Sequence, residues 1–288
     1  MAEPENRRSP GKGTGSLAKR VIAAVIFVPC LIVISRRGSV YFLLLVELVI
    51  LTGLWEFYRM MQAKGLSPYR WVGMLGGAAL PWYLFFRQGI YGNLLLGLTF
   101  LGIMILELFR REKGHAVYHV SVTIFGVIYV SWLGSHLVML RELPLITGIG
   151  YSRGFDFVMT VFVLTWCYDT GAYTFGRLFG RRKLFPSVSP GKTVEGAVGG
   201  LALSIAGIMA ARLFLDIPAG PWESVALAAG LSVAGQLGDL CESMIKRDVQ
   251  IKDASETIPG HGGTLDRFDS ILFTAPVFYY LLKYFILE

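Results

Sequence analysis

SVYFLLLVELVILTGLWEF, residues 39–57, decides the fold class: nineteen residues carry only two that are charged in water at neutral pH, Glu47 and Glu56. As a helix rising 1.5 Å per residue, such a run covers about 28 Å, close to the ~30 Å hydrocarbon core of a bilayer. Similar runs recur outward in both directions, at 18–35, 71–86, 90–109, 117–140, 155–178, 194–215, 222–245 and 270–287. Apolar residues make up 54% of the 288 positions and charged ones 16%, which excludes an ordinary soluble domain. The pattern predicts an all-α polytopic integral membrane protein with about nine transmembrane helices. Residues 1–17, rich in Gly, Pro, Ser, Lys and Arg, read as a disordered basic tail. No stretch between the runs is long enough for a separate soluble domain. Residues 18–288 therefore form one transmembrane domain, with N-terminal spans in 18–150 and the chemistry in 151–288.

Charge sets the orientation. With nine spans, 20 of the 27 Lys and Arg residues fall on the side of the N-terminal tail and 7 on the other. The positive-inside rule then places the N-terminus in the cytoplasm and the C-terminus across the membrane. The net charge of +7 follows from this bias and suits an anionic lipid surface. No soluble basic module exists to bind nucleic acid. Cys30, Cys167 and Cys241 stand at unrelated spacings within apolar runs, so they read as small core residues.

Ionisable groups inside spans cost about 2.5–3.5 kcal/mol at a helix centre, so each is a functional candidate. Asp169 lies in the sixth run; Asp239 and Glu242 lie in the eighth. Asp239, Glu242, Ser243 and Lys246 are spaced i, i+3, i+4 and i+7 and share one helical face. That face leads into IPGHGGTLDRFDS, residues 258–270, and its neighbours Lys252 and Asp253. This loop holds His261, Asp266, Arg267 and Asp269 around Gly260, Gly262 and Gly263. Loop 179–193 adds Ser187, Ser189, Lys192 and Thr193 on the same side. Carboxylates alone suit a hard divalent cation, and cations alone suit an anion. Both together, with backbone N–H groups bared by glycine, suit a phosphate–metal complex. The plainer alternative is that the carboxylates merely pair with Lys and Arg across loops. Glu47, Glu56 and Glu107 look isolated and read as interfacial or helix-pairing groups.

Two short motifs lead elsewhere. PGKT, residues 190–193, resembles the end of a nucleotide-binding P-loop, but Pro186 occupies the required glycine position and no strand-like segment precedes it. His115 and His119 are spaced i, i+4 without a third ligand nearby, which argues for surface or interfacial residues rather than zinc.

SMIKRDVQIKDASETIPGHGGTLDRFD, residues 243–269, resembles the signature of the phosphatidate cytidylyltransferase (CDP-diacylglycerol synthase) family. Thr264 stands where that signature usually has an aliphatic residue. WCYDTGAYTFGRLFG (166–180), SPGKTVEG (189–196) and GQLGDLCES (235–243) resemble further family segments. The likeness is strong over about the last 125 residues and otherwise limited to hydropathy. It implies that CTP and phosphatidic acid give CDP-diacylglycerol and pyrophosphate with Mg²⁺, an additional monovalent cation such as K⁺, and a homodimer in the cell (inner) membrane. It implies a metal site at Asp239 and Asp266. Asp269 would be a further ligand or hold those ligands in place, and Asp169 and Glu242 would surround the metal, Asp169 alternatively orienting a Lys or Arg.

The matching residues then take roles. Lys246, Arg247, Lys252 and Arg267 would neutralise phosphates, and Lys192, Ser189 and Thr193 would bind one from the neighbouring loop. Ser243, Gly262 and Gly263 complete the phosphate set. His261 would bond a phosphate or order the loop, because a phosphomonoester is already ionised at neutral pH and needs no strong base. Two rival readings remain open: a CTP- or ATP-dependent membrane lipid kinase, and a cation-coupled transporter using Asp169, Asp239 and Glu242. The transporter lacks support from internal repeats or midplane charges.

Overall fold

The computed structural model describes residues 13–87, 92–111, 114–251 and 263–287. Among these, helices form nine rods: α1 (Gly13–Arg37), α2 (Ser39–Ala63), α3 (Arg70–Arg87), α4 (Gly92–Leu108), a continuous rod from α5 (Ala116–Gly126) to α6 (Leu133–Thr147), α7 (Arg153–Phe179), α8 (Val194–Ala211), α9 (Pro221–Asp248) and α10 (Leu265–Leu281). Each rod overlaps one of the apolar runs. A π-helical segment, Val127–Trp132, joins α5 to α6, and another, Leu282–Ile286, follows α10. Four rods are long and apolar enough to cross a membrane: 39–63, 116–147, 194–211 and 221–248. The chain is thus a helical membrane protein. Helix α1 begins at Gly13, so residues 13–17 of the expected disordered tail are helical.

The structure is not purely α. Loop 179–193 contains an antiparallel hairpin of β1 (Lys183–Phe185) and β2 (Ser189–Thr193), with Lys183 opposite Thr193 and Phe185 opposite Ser189. A strand therefore does precede PGKT, contrary to the sequence reading. PGKT itself is extended backbone running straight into α8, so the loop that wraps phosphates in a P-loop is not formed here. The hairpin is too short, and too polar at Ser189 and Lys192, to announce itself by periodicity.

One core links both halves of the chain. Phe42, Ile50, Leu54 and Phe57 of α2 pack in the same cluster as Phe157 and Val161 of α7 and Leu272 and Phe278 of α10. Leu98, Leu101, Ile105 and Leu108 of α4 are exposed, as expected for a surface that faces lipid rather than water. Cys30 is also exposed on α1 rather than in the core.

At the turns opposite the hairpin, burial of a charge is offset by many bonds. Arg141 is 1% exposed. Its guanidinium donates to the carbonyls of Ser35 at 2.6 Å, Tyr151 at 3.2 Å and Arg36 at 3.3 Å, closing the C-terminal end of α1. Gly38, at φ +64°, makes room: a Cβ there would meet Arg141 Nη2 at 2.3 Å. Glu142 accepts from the Ser39 amide and the Tyr151 hydroxyl. Burial, and then the bond to Glu142, raise the Tyr151 pKa above the ordinary phenol value, so the hydroxyl stays a donor at neutral pH.

The contact that positions the site is between α7 and α8. Their backbones touch through glycines: a Cβ on Gly171 would lie 2.7 Å from the Gly199 carbonyl and 2.9 Å from Gly200 Cα. On Gly200 it would lie 2.8 Å from the Tyr168 carbonyl. Gly196, Gly200 and Ser204, one turn apart on α8, thus pack on α7. On α9, Gly235 and Gly238 face α10, with Asp269 O 2.6 Å from a Cβ on Gly238. Gly171→Ala should force α7 from α8 and cost on the order of 1–3 kcal/mol. A lowered thermal midpoint of the detergent-solubilised protein checks this, and an unchanged midpoint would show that the helices separate freely.

Candidate active site

Helix α9 presents its polar face near its C-terminal end. Ser243 Oγ donates to Asp239 Oδ1 at 3.4 Å, and Lys246 Nζ donates to Glu242 Oε2 at 2.7 Å. Lys246 also donates to Asp266 Oδ1 of α10 at 2.7 Å, so one ammonium joins two carboxylates and two helices. The other Asp266 oxygen accepts from the Gly263 amide at 2.8 Å. From β2, Lys192 Nζ reaches Asp239 Oδ2 at 2.5 Å, an ion contact without hydrogen-bond alignment.

Two more acids complete the group. Asp169 on α7 lies within electrostatic reach of Asp239, Lys192 and Arg267. It is accessible to solvent although protein surrounds it, the situation of a group lining a cleft. Asp269 lies within reach of Asp239, Glu242 and Asp169. Residues predicted on four separate elements thus meet at one end of the bundle.

Asp239 and Asp266 each bind a lysine rather than one another. Among the described residues, no three His, Cys, Asp or Glu side chains stand together in a metal-ligating arrangement. The chemistry of the donors nonetheless fits a hard cation. Five carboxylates (Asp169, Asp239, Glu242, Asp266, Asp269) gather with three cations (Lys192, Lys246, Arg267), a surplus of two negative charges when all are ionised. Glu242 is fully buried and its Oε1 has no hydrogen-bond partner. Such a surplus in a low dielectric favours a divalent ion with oxygen ligands.

Several expected phosphate ligands do other work. The Thr193 hydroxyl accepts from the Gly196 amide at 3.1 Å and caps α8. Arg247 Nε donates to the Val188 carbonyl at 3.3 Å, tying α9 to the hairpin turn. The Gly263 amide is engaged by Asp266. Ser189 sits opposite Phe185 in the ladder, and Arg267 is exposed on the first turn of α10. Lys252, His261 and Gly262 lie outside the described residues.

The sequence reading missed Gln236 and Glu56. Gln236 accepts from the Tyr168 hydroxyl at 2.6 Å, and its Nε2 is buried without a partner. Its spacing of three from Asp239 was a usable signal. Glu56 is not isolated: its carboxylate accepts from the amides of Thr264 and Leu265. Nor is Glu107, whose Oε1 lies 3.2 Å from His119 Nδ1.

Comparison with known proteins identifies the family. The profile of the "Cytidylyltransferase family" matches residues 18–285, and the chain belongs to that family. A "Phosphatidate cytidylyltransferase" of Staphylococcus epidermidis is 33% identical over 265 residues, covering 91% of this chain and 96% of the relative. Proteins of the same name from Staphylococcus aureus and Staphylococcus saprophyticus are 31% and 32% identical, with the same coverage. The likeness therefore reaches well beyond the last 125 or so residues to which the motifs confined it.

The two lysines should differ in worth. Lys246→Met strands the fully buried Glu242, and breaking such a pair costs about 3–5 kcal/mol. Lys192→Met affects Asp239, whose side chain is 32% exposed, and should cost less than about 1 kcal/mol. Thermal unfolding of both variants in detergent measures the gap; equal losses would contradict it.

Proposed function

We propose that this protein is a phosphatidate cytidylyltransferase, converting CTP and phosphatidic acid to CDP-diacylglycerol and pyrophosphate. The observation that carries the reading is the convergence of the signature's charged residues on α9 and α10 with Asp169 and Lys192, close to the ends of membrane helices. A lipid phosphate sits at headgroup depth with its chains in the bilayer, and a nucleotide arrives from water. A charged cleft just below the membrane boundary can receive both.

The lipid phosphate oxygen attacks the α-phosphorus of CTP, and the bond to the β,γ-pyrophosphate breaks in line. The nucleophile is already ionised, so the protein need not remove a proton. Its task is to hold two polyanions together and neutralise them. Lys246, Arg267 and Lys192 would supply positive charge, with Arg247, Lys252, Ser189, Ser243 and His261 as further phosphate-binding candidates. Asp239 and Asp266, with Asp269, would hold Mg²⁺, and Asp169 and Glu242 surround them; a K⁺ ion would share the same acidic group. When bound, the divalent ion draws charge from the phosphates and eases departure of pyrophosphate.

The wider reading is a nine-span protein with one transmembrane domain over residues 18–288, acting as a homodimer in the inner membrane. Its N-terminus and active site face the cytoplasm and its C-terminus lies opposite. The basic-residue bias supports the orientation, and the shared core supports the single domain.

Purified protein given phosphatidic acid, Mg²⁺ and CTP should place an α-phosphorus label in lipid and a γ-phosphorus label in pyrophosphate. A γ-label in lipid would identify a kinase, and no labelled product would favour a transporter. Asp239→Asn and Asp266→Asn should each lower lipid labelling by about 100-fold or more while still inserting into membranes. Near-normal turnover in either would remove that residue from the metal site.

A further inference from the structure

The first turn of any helix has N–H groups with no partner inside the helix. At α10 the residue in the capping position, Thr264, makes no side-chain cap. The bonds come from elsewhere. Glu56 Oε1 accepts from the Thr264 amide at 3.0 Å, and Glu56 Oε2 accepts from the Leu265 amide at 2.9 Å. The donors lie 208 and 209 residues further along the chain.

The seat is dry and close-fitting. Glu56 is 1% exposed, Leu265 1% and Thr264 7%. Gly53, one turn before Glu56, lets Val130 approach: a Cβ there would lie 3.0 Å from Val130 Cγ1, while Leu265 Cδ1 would be at ordinary contact distance, 4.0 Å. A carboxylate at a helix N-terminus is also favoured by the helix dipole, more so when buried. Because these amides bind Glu56, they are not free to bind a phosphate. The groups of the first turn that do face the charged cluster are side chains. Asp266 lies one residue past Leu265, Arg267 two and Asp269 four.

We propose that Glu56 is a positioning residue for nucleotidyl transfer. Its two-pronged grip fixes the rotation and depth of the first turn of α10, and so the direction in which Asp266, Arg267 and Asp269 are presented. The inference rests on the metal and phosphate roles given above. Lys246 pulls Asp266 from the α9 side, and Glu56 anchors the backbone from the α2 side. A single oxygen would leave the turn free to pivot, whereas two oxygens on adjacent amides do not.

Glu56→Gln keeps the size of the side chain but replaces one acceptor by a donor. Glu56→Asp keeps the charge but is shorter by one methylene, so it cannot hold both amides. Hydrogen exchange of the detergent-solubilised protein should show faster exchange in peptides covering 263–268 of either variant, with α2 protection unchanged. Mn²⁺ titration followed by electron paramagnetic resonance should show affinity weakened about 10-fold or more, the usual effect of losing a group that orients metal ligands. The KM for phosphatidic acid should move less than kcat. Asp266→Asn is the control. If it binds Mn²⁺ like the unaltered chain, the metal reading fails. If it loses Mn²⁺ while both Glu56 variants bind normally, the positioning role fails. Unchanged exchange at 263–268 overturns the proposal, and so does loss of a monodisperse fold in both Glu56 variants.

Discussion

Lys246 holds the site together. Its ammonium, bonded to Glu242 and Asp266, is what allows two partly or wholly buried carboxylates to lie against each other on different helices. Without it, the ends of α9 and α10 would repel in a medium that screens charge poorly. Lys192 plays the matching part for Asp239 from the hairpin side, but at a more open position. Lys246 thus serves an inner pair of carboxylates, and Lys192 serves Asp239 further out. Together they offset part of the negative charge that the five carboxylates bring to one place.

Backbone proximity makes these pairings possible. Glycines let α7 and α8 touch, which brings Asp169 beside the strand that carries Lys192. Gly238 lets α9 approach the Asp269 carbonyl of α10, bringing Asp239 near Asp269. Small residues therefore set the distances between helices, and the charged side chains beside them set the chemistry. In lipid, where apolar faces gain little from meeting each other, such close approach is the main source of helix association.

The apolar runs were legible because a helix crossing hydrocarbon has almost no freedom of composition. The shared face of Asp239, Glu242, Ser243 and Lys246 was legible from spacing alone. The hairpin was not, since five polar or turn-forming residues, SPGKT, carry no alternation. Thr193, Arg247 and Gly263 were read as phosphate ligands on residue type, yet they cap a helix, tie a turn and bond a neighbouring carboxylate. Residue type reports what a group is able to bind; only the fold decides which partner reaches it first. Glu56 shows the limit most clearly, because nothing in the local sequence links it to amides more than 200 positions away.

That separation has a consequence for biogenesis. At roughly 5–20 residues per second, Thr264 leaves the ribosome about 10–40 s after Glu56. Throughout that interval the carboxylate has no helix to cap and must remain hydrated or borrow a provisional partner. Its burial is therefore delayed, completed only when α10 docks. Until then the nascent chain carries its own marker of unfinished assembly, a carboxylate that has not yet met the amides it caps.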